Sequence, residues 1–171
     1  VYTEAMNQGL TPCDRRMDSY VAYPDTMHGK ITKWAPHNAN GYFTNANMPL
    51  KTAFARSVNS VAVKLGVEMG IKNVARTAHA MGIESKLDET KSLSLGASDV
   101  TLIELVNAYC TIAADGIYNM PILVKRIEDK YGNVLYQSKL TNKQAIPYRS
   151  AFLMQKMLQN TLTGGGTVAA L

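Results

Sequence analysis

From Pro49 onward the apolar residues of this chain fall on a helical period, and that period is broken at one place, Ser57-Val58-Asn59. Leu50, Ala53 and Phe54 lie before the break, and Val61, Leu65 and Val67 after it. Serine and asparagine side chains compete for backbone hydrogen bonds, so they are poor inside a helix and good at its start. The pattern predicts two helices, about Leu50 to Arg56 and Ser60 to Met69, joined by a tight turn and closed by Gly70. A third is expected over Lys72 to Met81, stopped by Gly82. Thr101-Leu102-Ile103-Glu104 matches a capping box, in which hydroxyl and carboxylate each satisfy an orphan backbone donor. Leu102, Leu105, Val106, Tyr109, Ile112 and Ala113 follow at helical spacing and are expected to bury one face before Gly116 ends the helix. A last helix is expected from Tyr148 to Thr161, with Pro147 at its first turn.

The remainder is less regular. Val1 to Gln8 reads as the end of a helix stopped by Gly9. Thr11 to Asn47 is punctuated by Pro12, Pro24, Gly29, Pro36 and Gly41 and lacks any period. It is expected to be a long ordered loop with a short strand at Ser19 to Tyr23, and loops of that length in a compact domain usually carry or cover something. Ile122 to Ile127 and Val134 to Gln137 flank Asp129-Lys130-Tyr131-Gly132-Asn133 and predict a hairpin. With 171 residues, 46% hydrophobic and 18% charged, the chain has the composition of one globular domain (1–171) rather than of a disordered segment.

Several function classes drop out. The net charge of +5 is spread along the chain without a basic run interleaved with aromatics, so no nucleic-acid partner is expected. His28, His37 and His79 show no metal-ligand spacing, and Cys13 and Cys110 form no C-x-x-C pair, so no metal site is expected. Cys110 lies in an apolar helical stretch and is expected to be a buried free thiol; whether it pairs with Cys13 stays open. There is no G-x-G-x-x-G, no phosphate-binding loop and no nucleophile elbow, hence no cofactor motif. No segment has the roughly 18 apolar residues of a membrane span.

Ser57 and Asn59 remain as candidate site residues. A hydroxyl can accept and pass on a proton; a carboxamide two residues away can donate to a substrate carbonyl while accepting elsewhere. Set on a rigid turn between helices, both could point into one cleft. The same two residues could instead serve only as a helix cap.

Their setting adds to this reading. Trp34-Ala35-Pro36-His37-Asn38, Gly41-Tyr42, then Leu50-Lys51-Thr52-Ala53-Phe54-Ala55-Arg56-Ser57-Val58-Asn59 precede Leu95-Gly96-Ala97-Ser98 and Val100-Thr101-Leu102-Ile103-Glu104. Ala113-Ala114-Asp115-Gly116, Gly132-Asn133-Val134-Leu135 and Gly166-Thr167 follow. In this order they resemble the transpeptidase domain of class A (bifunctional) penicillin-binding proteins, over nearly the whole chain. The resemblance implies three motifs, S-x-x-K, S-x-N and K-[TS]-G. In that family the first serine attacks the D-Ala-D-Ala end of a peptidoglycan stem peptide, and an amine of a neighbouring stem resolves the acyl-enzyme; a β-lactam acylates the same serine.

By resemblance, Ser57 would relay a proton and Asn59 would hydrogen-bond substrate, as the two catalytic residues of the S-x-N motif. No Ser-x-x-Lys stands before Val1-Tyr2-Thr3 and no Lys-Thr-Gly after Gly166-Thr167. The chain is therefore expected to be a segment between those motifs, with no nucleophile and no turnover alone. The implied fold is α+β and mostly helical: the helical lobe plus a hairpin, with the central sheet largely missing and apolar surface left for self-association. The implied partners are stem peptides and β-lactams, with no metal or cofactor, on the extracytoplasmic (periplasmic) face of a bacterial membrane. A non-catalytic binding or structural module on the same scaffold is the alternative.

Overall fold

The computed structural model describes residues 1–27, 30–163 and 166. The elements run α1 (Tyr2–Asn7), β1 (Arg15–Met17), β2 (Tyr23–Met27), β3 (Lys30–Trp34), β4 (Asn47–Pro49), α2 (Leu50–Ala55), α3 (Asn59–Met69) and α4 (Ile71–Ala80). A 3-10 helix, Lys91–Leu95, leads to α5 (Leu102–Ala113), β5 (Ile117–Asn119), β6 (Arg126–Glu128), β7 (Val134–Gln137), β8 (Asn142–Gln144) and α6 (Tyr148–Thr163). Helices dominate, and the strands form four antiparallel pairs: β1 with β4, β2 with β3, β5 with β8 and β6 with β7. Among the described residues no pair extends into a larger sheet.

The helices carry the core. Ala5 and Met6 of α1, Leu50 and Ala53 of α2, and Val61 and Leu65 of α3 are buried together with Ala151, Met154 and Met157 of α6. Each large side chain buried in this way contributes about 1.5–3 kcal/mol relative to exposure. The period-based bounds of α2, α3, α4 and α6 fall within two residues of the observed ones.

The stretch before Pro49 departs from expectation. The expected strand at Ser19 to Tyr23 does not form: β1 ends at Met17, and β2 begins only at Tyr23. β1 pairs Arg16 with Met48, and β2 and β3 form a hairpin pairing Tyr23 with Trp34. The register of β1 is set by residues some thirty positions on, so no local pattern could announce it. His28 and Gly29 lie outside the described residues. The β6–β7 hairpin forms as expected, but its first strand begins at Arg126 rather than Ile122.

α5 corrects two expectations. Its capping box forms, with Thr101 accepting from the Glu104 amide and Glu104 from the Thr101 amide. Its apolar face is nevertheless open: Leu102 is 77% exposed, Val106 52% and Tyr109 54%. The helix packs through its last turn, where Thr111 and Ile112 are buried, so the period defines an apolar face that the described residues leave uncovered. Cys110 sits on this helix and is exposed rather than buried; Cys13 is exposed too, and both are free thiols.

Candidate active site

The turn that interrupts the helical period is closed by backbone. The Ser57 amide donates to the Phe54 carbonyl at 3.0 Å and the Val58 amide to Ala53 at 2.9 Å. The closure drives Ser57 to a φ of 52°, the left-handed region that costs an L-residue roughly 1–2 kcal/mol. Val58, buried between α2 and α3, stands at the N-cap of α3 and offers no capping side chain.

Neither Ser57 nor Asn59 takes the cap role. The first turn of α3 is capped from a distance, by Asn38 Oδ1 accepting from the Ser60 amide at 3.2 Å. The Ser57 side chain is exposed, and its hydroxyl makes no hydrogen bond among the described residues. Asn59 donates one N–H to the His37 carbonyl at 2.8 Å, which leaves its second N–H and its Oδ1 available. Both residues line a cleft of about 250 Å³ with Tyr2, Phe54, Ala62 and Leu95. Tyr2 meets Phe54 edge-on, 4.9 Å between ring centres, and burial pushes its phenol well above the usual tyrosine range.

The 3-10 helix supplies the opposite wall, through Ser94 and Leu95. It can do so because α3 carries Gly66 at the contact, where a Cβ would stand 2.1 Å from Ser94 Oγ. Ser94 Oγ is itself buried without a partner among the described residues.

Behind the cleft lies a group to which the sequence reading assigned no role. Asp18 is 1% exposed. Its Oδ1 accepts from the Ser60 hydroxyl at 2.7 Å and from Asn38 Nδ2 at 2.8 Å. Its Oδ2 accepts from the Thr44 amide and hydroxyl, each at 2.8 Å. Burial alone would raise the carboxyl's pKa, but these bonds together hold it below the usual aspartate range. One helical turn after Ser60, Lys64 gives its three N–H donors to the Met17 carbonyl, the Ser19 carbonyl and the Ser19 hydroxyl at 2.7–3.0 Å. Burial lowers its pKa against the pull of Asp18. With every donor engaged, Lys64 ties the loop to α3 rather than serving as a free base.

The structure thus brings Ser57 and Asn59 to one cleft. His37 contributes only its backbone carbonyl to Asn59, and His79 Nδ1 faces the Ile83 carbonyl at 2.5 Å. Among the described residues no group of His, Cys, Asp or Glu could hold a metal, and no helix is long and apolar enough to cross a membrane. Asp18, Thr44 and Ser60 carried no local signal, because their bonds join residues 26 and 42 positions apart.

A family model of the penicillin binding protein transpeptidase domain matches residues 5–170. The chain belongs to that family. Penicillin-binding protein 2D of Bacillus subtilis is 32% identical over 158 residues, which cover 92% of this chain and 23% of that protein. Penicillin-binding protein 1A of Vibrio cholerae is 24% identical over 97% of this chain and 23% of its own length. The chain therefore spans about a quarter of the length of those relatives. Among solved structures, penicillin-binding protein 1A from Haemophilus influenzae superposes with a TM-score of 0.85 at 21% identity, over 95% of this chain and 28% of that one. An imipenem acyl-enzyme complex of penicillin-binding protein A from M. tuberculosis gives 0.77 at 19% identity, over 95% of this chain and 41% of that one. The expected fold class, a mostly helical α+β piece of the transpeptidase fold with its central sheet largely missing, stands, since the described residues form only two-stranded pairs.

Proposed function

We propose that this chain forms the S-x-N wall of a peptidoglycan D,D-transpeptidase site, with Ser57 as proton relay and Asn59 as substrate-binding amide. One observation carries the reading: Ser57 is held in a strained turn with its hydroxyl unengaged, beside Asn59, on a cleft, while another residue caps the helix. Strain of this kind persists where surrounding structure imposes it, and it gathers at functional sites.

In the reaction, a serine nucleophile attacks the carbonyl of the D-Ala-D-Ala amide and the tetrahedral adduct expels D-alanine. The departing nitrogen needs a proton and the incoming amine must lose one; a hydroxyl at the position of Ser57 can pass either. The free N–H of Asn59 would donate to an amide carbonyl of the stem peptide or of a β-lactam side chain, and its Oδ1 would accept. Tyr2, Phe54 and Leu95 line the cleft beside that pairing. The nucleophile and its lysine would come from an S-x-x-K segment, which the 171 residues lack. Such substrates place the working protein on the extracytoplasmic side of a bacterial membrane. In isolation, the open α5 face would favour self-association.

Labelling with a fluorescent penicillin tests this. The chain alone should take no covalent label, and a version extended through flanking S-x-x-K and K-T-G segments should label. In the extended protein Ser57→Ala should slow acylation about 10²-fold or more, the scale of a lost acid–base relay, without unfolding it. Absence of label on a folded extended protein would refute the transpeptidase reading and leave a non-catalytic module on the same scaffold.

A further inference from the structure

We propose that Asp18 and Asn38 are positioning residues that set the direction in which Asn59 presents its amide to the cleft. The proposal rests on the reading of Asn59 as the substrate-facing amide. Neither residue lines the cleft, so each would act through the loop that holds His37.

Asn38 is fixed at every polar atom of its side chain. Its two N–H donors go to Asp18 Oδ1 at 2.8 Å and to the Tyr42 carbonyl at 3.0 Å. Its Oδ1 takes the Ser60 amide at the start of α3, so a flip of the carboxamide would break all three bonds. Its carbonyl also accepts from the Gly41 amide at 2.9 Å, which folds the loop back on itself. The neighbouring carbonyl, of His37, is therefore held at a fixed place above α3, and that carbonyl is what Asn59 Nδ2 donates to. Asp18 anchors the arrangement. It accepts four bonds, two of them from groups that can only donate: the Asn38 amide and the Thr44 backbone N–H. A carboxylate accepts at both oxygens; a carboxamide of the same shape would set an N–H₂ against one of those donors whichever way it turned.

The test separates orientation from stability by the choice of substrate. In the protein extended through both flanking motifs, acylation rates are measured with benzylpenicillin, which carries an acylamido carbonyl, and with 6-aminopenicillanic acid, which lacks it. Asn59→Ala should lower the rate ratio between the two about tenfold, the worth of one good hydrogen bond. Asn38→Ala and Asp18→Asn should each lower the same ratio by a similar factor, and Asn38→Ala should add nothing in an Asn59→Ala background. Ser60→Ala removes one of the four bonds to Asp18 while leaving Asn38 in place, and should keep the ratio within about twofold. If Asp18→Asn does not fold, Asn38→Ala, a change at a half-buried loop position, decides alone.

Equal slowing of both substrates by Asn38→Ala, or an unchanged ratio, would overturn the positioning role. An unchanged ratio in Asn59→Ala itself would instead overturn the reading of Asn59, so the two failures are distinguishable.

Discussion

Gly66 gives the sharpest energetic test of how the cleft is built. It lies inside α3, where alanine is favoured over glycine by about 0.8–1 kcal/mol on helix propensity alone. Against that, a Cβ at position 66 would meet Ser94 Oγ at 2.1 Å and Ser94 Cβ at 3.1 Å. Relieving the hydroxyl clash forces the Ser94 side chain out of its rotamer, and the Cβ contact adds to this, so the 3-10 helix must also retreat by a few tenths of an ångström. Overpacking of this kind costs about 1–3 kcal/mol, and Gly66→Ala should therefore destabilise by a net of about 0–2 kcal/mol. Ser94→Ala should do the opposite, since it deletes a buried hydroxyl that lacks a partner, a group that costs about 1–3 kcal/mol when unsatisfied. In the Ser94→Ala background the nearer clash is gone, and the penalty of Gly66→Ala should shrink by about 1 kcal/mol. Urea midpoints of the four proteins, followed by circular dichroism, complete the cycle. Stabilisation by Gly66→Ala in the wild-type background, or the same effect in both backgrounds, would refute the claim that Gly66 is there to admit Ser94.

Ser57→Gly should raise stability by about 1 kcal/mol, because glycine adopts the left-handed conformation at 57 without a steric cost, whereas Ser57→Ala, which keeps the strain, should leave the melting temperature nearly unchanged. Under the proposed function both should be defective in acylation, and a fully active Ser57→Gly protein would remove Ser57 from the mechanism. Glu104 is drawn down to about 2, chiefly by the Ser85 hydroxyl and then by the Thr101 amide, with smaller help from the Thr101 hydroxyl and the Ser85 amide. Its folded pKa lies below the ordinary glutamate value of 4.5; its contribution is therefore present above that pH and is lost as pH falls towards about 2. Glu104→Gln should flatten the dependence of the urea midpoint on pH across that window, and an unchanged slope would count against the network at the start of α5.

Legibility in the sequence followed range. Helix bounds at Pro49, Gly70, Gly82 and Thr101 were readable because capping, positive φ and apolar spacing are set within a few residues. The strand Arg15–Met17 was not, because it exists only by pairing with Asn47–Pro49. The period of α5 was readable while its exposure was not: spacing names the face a helix would bury, but only the rest of a fold can cover it. Cys110 was misplaced for the same reason, as a residue on a helix whose apolar character belongs to surface not covered here.

The same distinction bears on the cap reading of Ser57 and Asn59. Judged by local chemistry, a Ser-x-Asn at a helix start is a cap, and nothing within the motif argues otherwise. The cap reading fails because the cap is supplied by Asn38, twenty-two residues upstream. That residue is itself held by a carboxylate twenty residues before it. With the Ser60 amide of α3 capped from outside, the hydroxyl of Ser57 and one N–H of Asn59 have no hydrogen-bond partner among the described residues. Left-handed strain at Ser57 and a buried Asp18 that holds the loop above the next turn are the features that the proposed function would use. Under the proposed function, the motif would depend on Asp18 and Asn38 as well as on its own three residues.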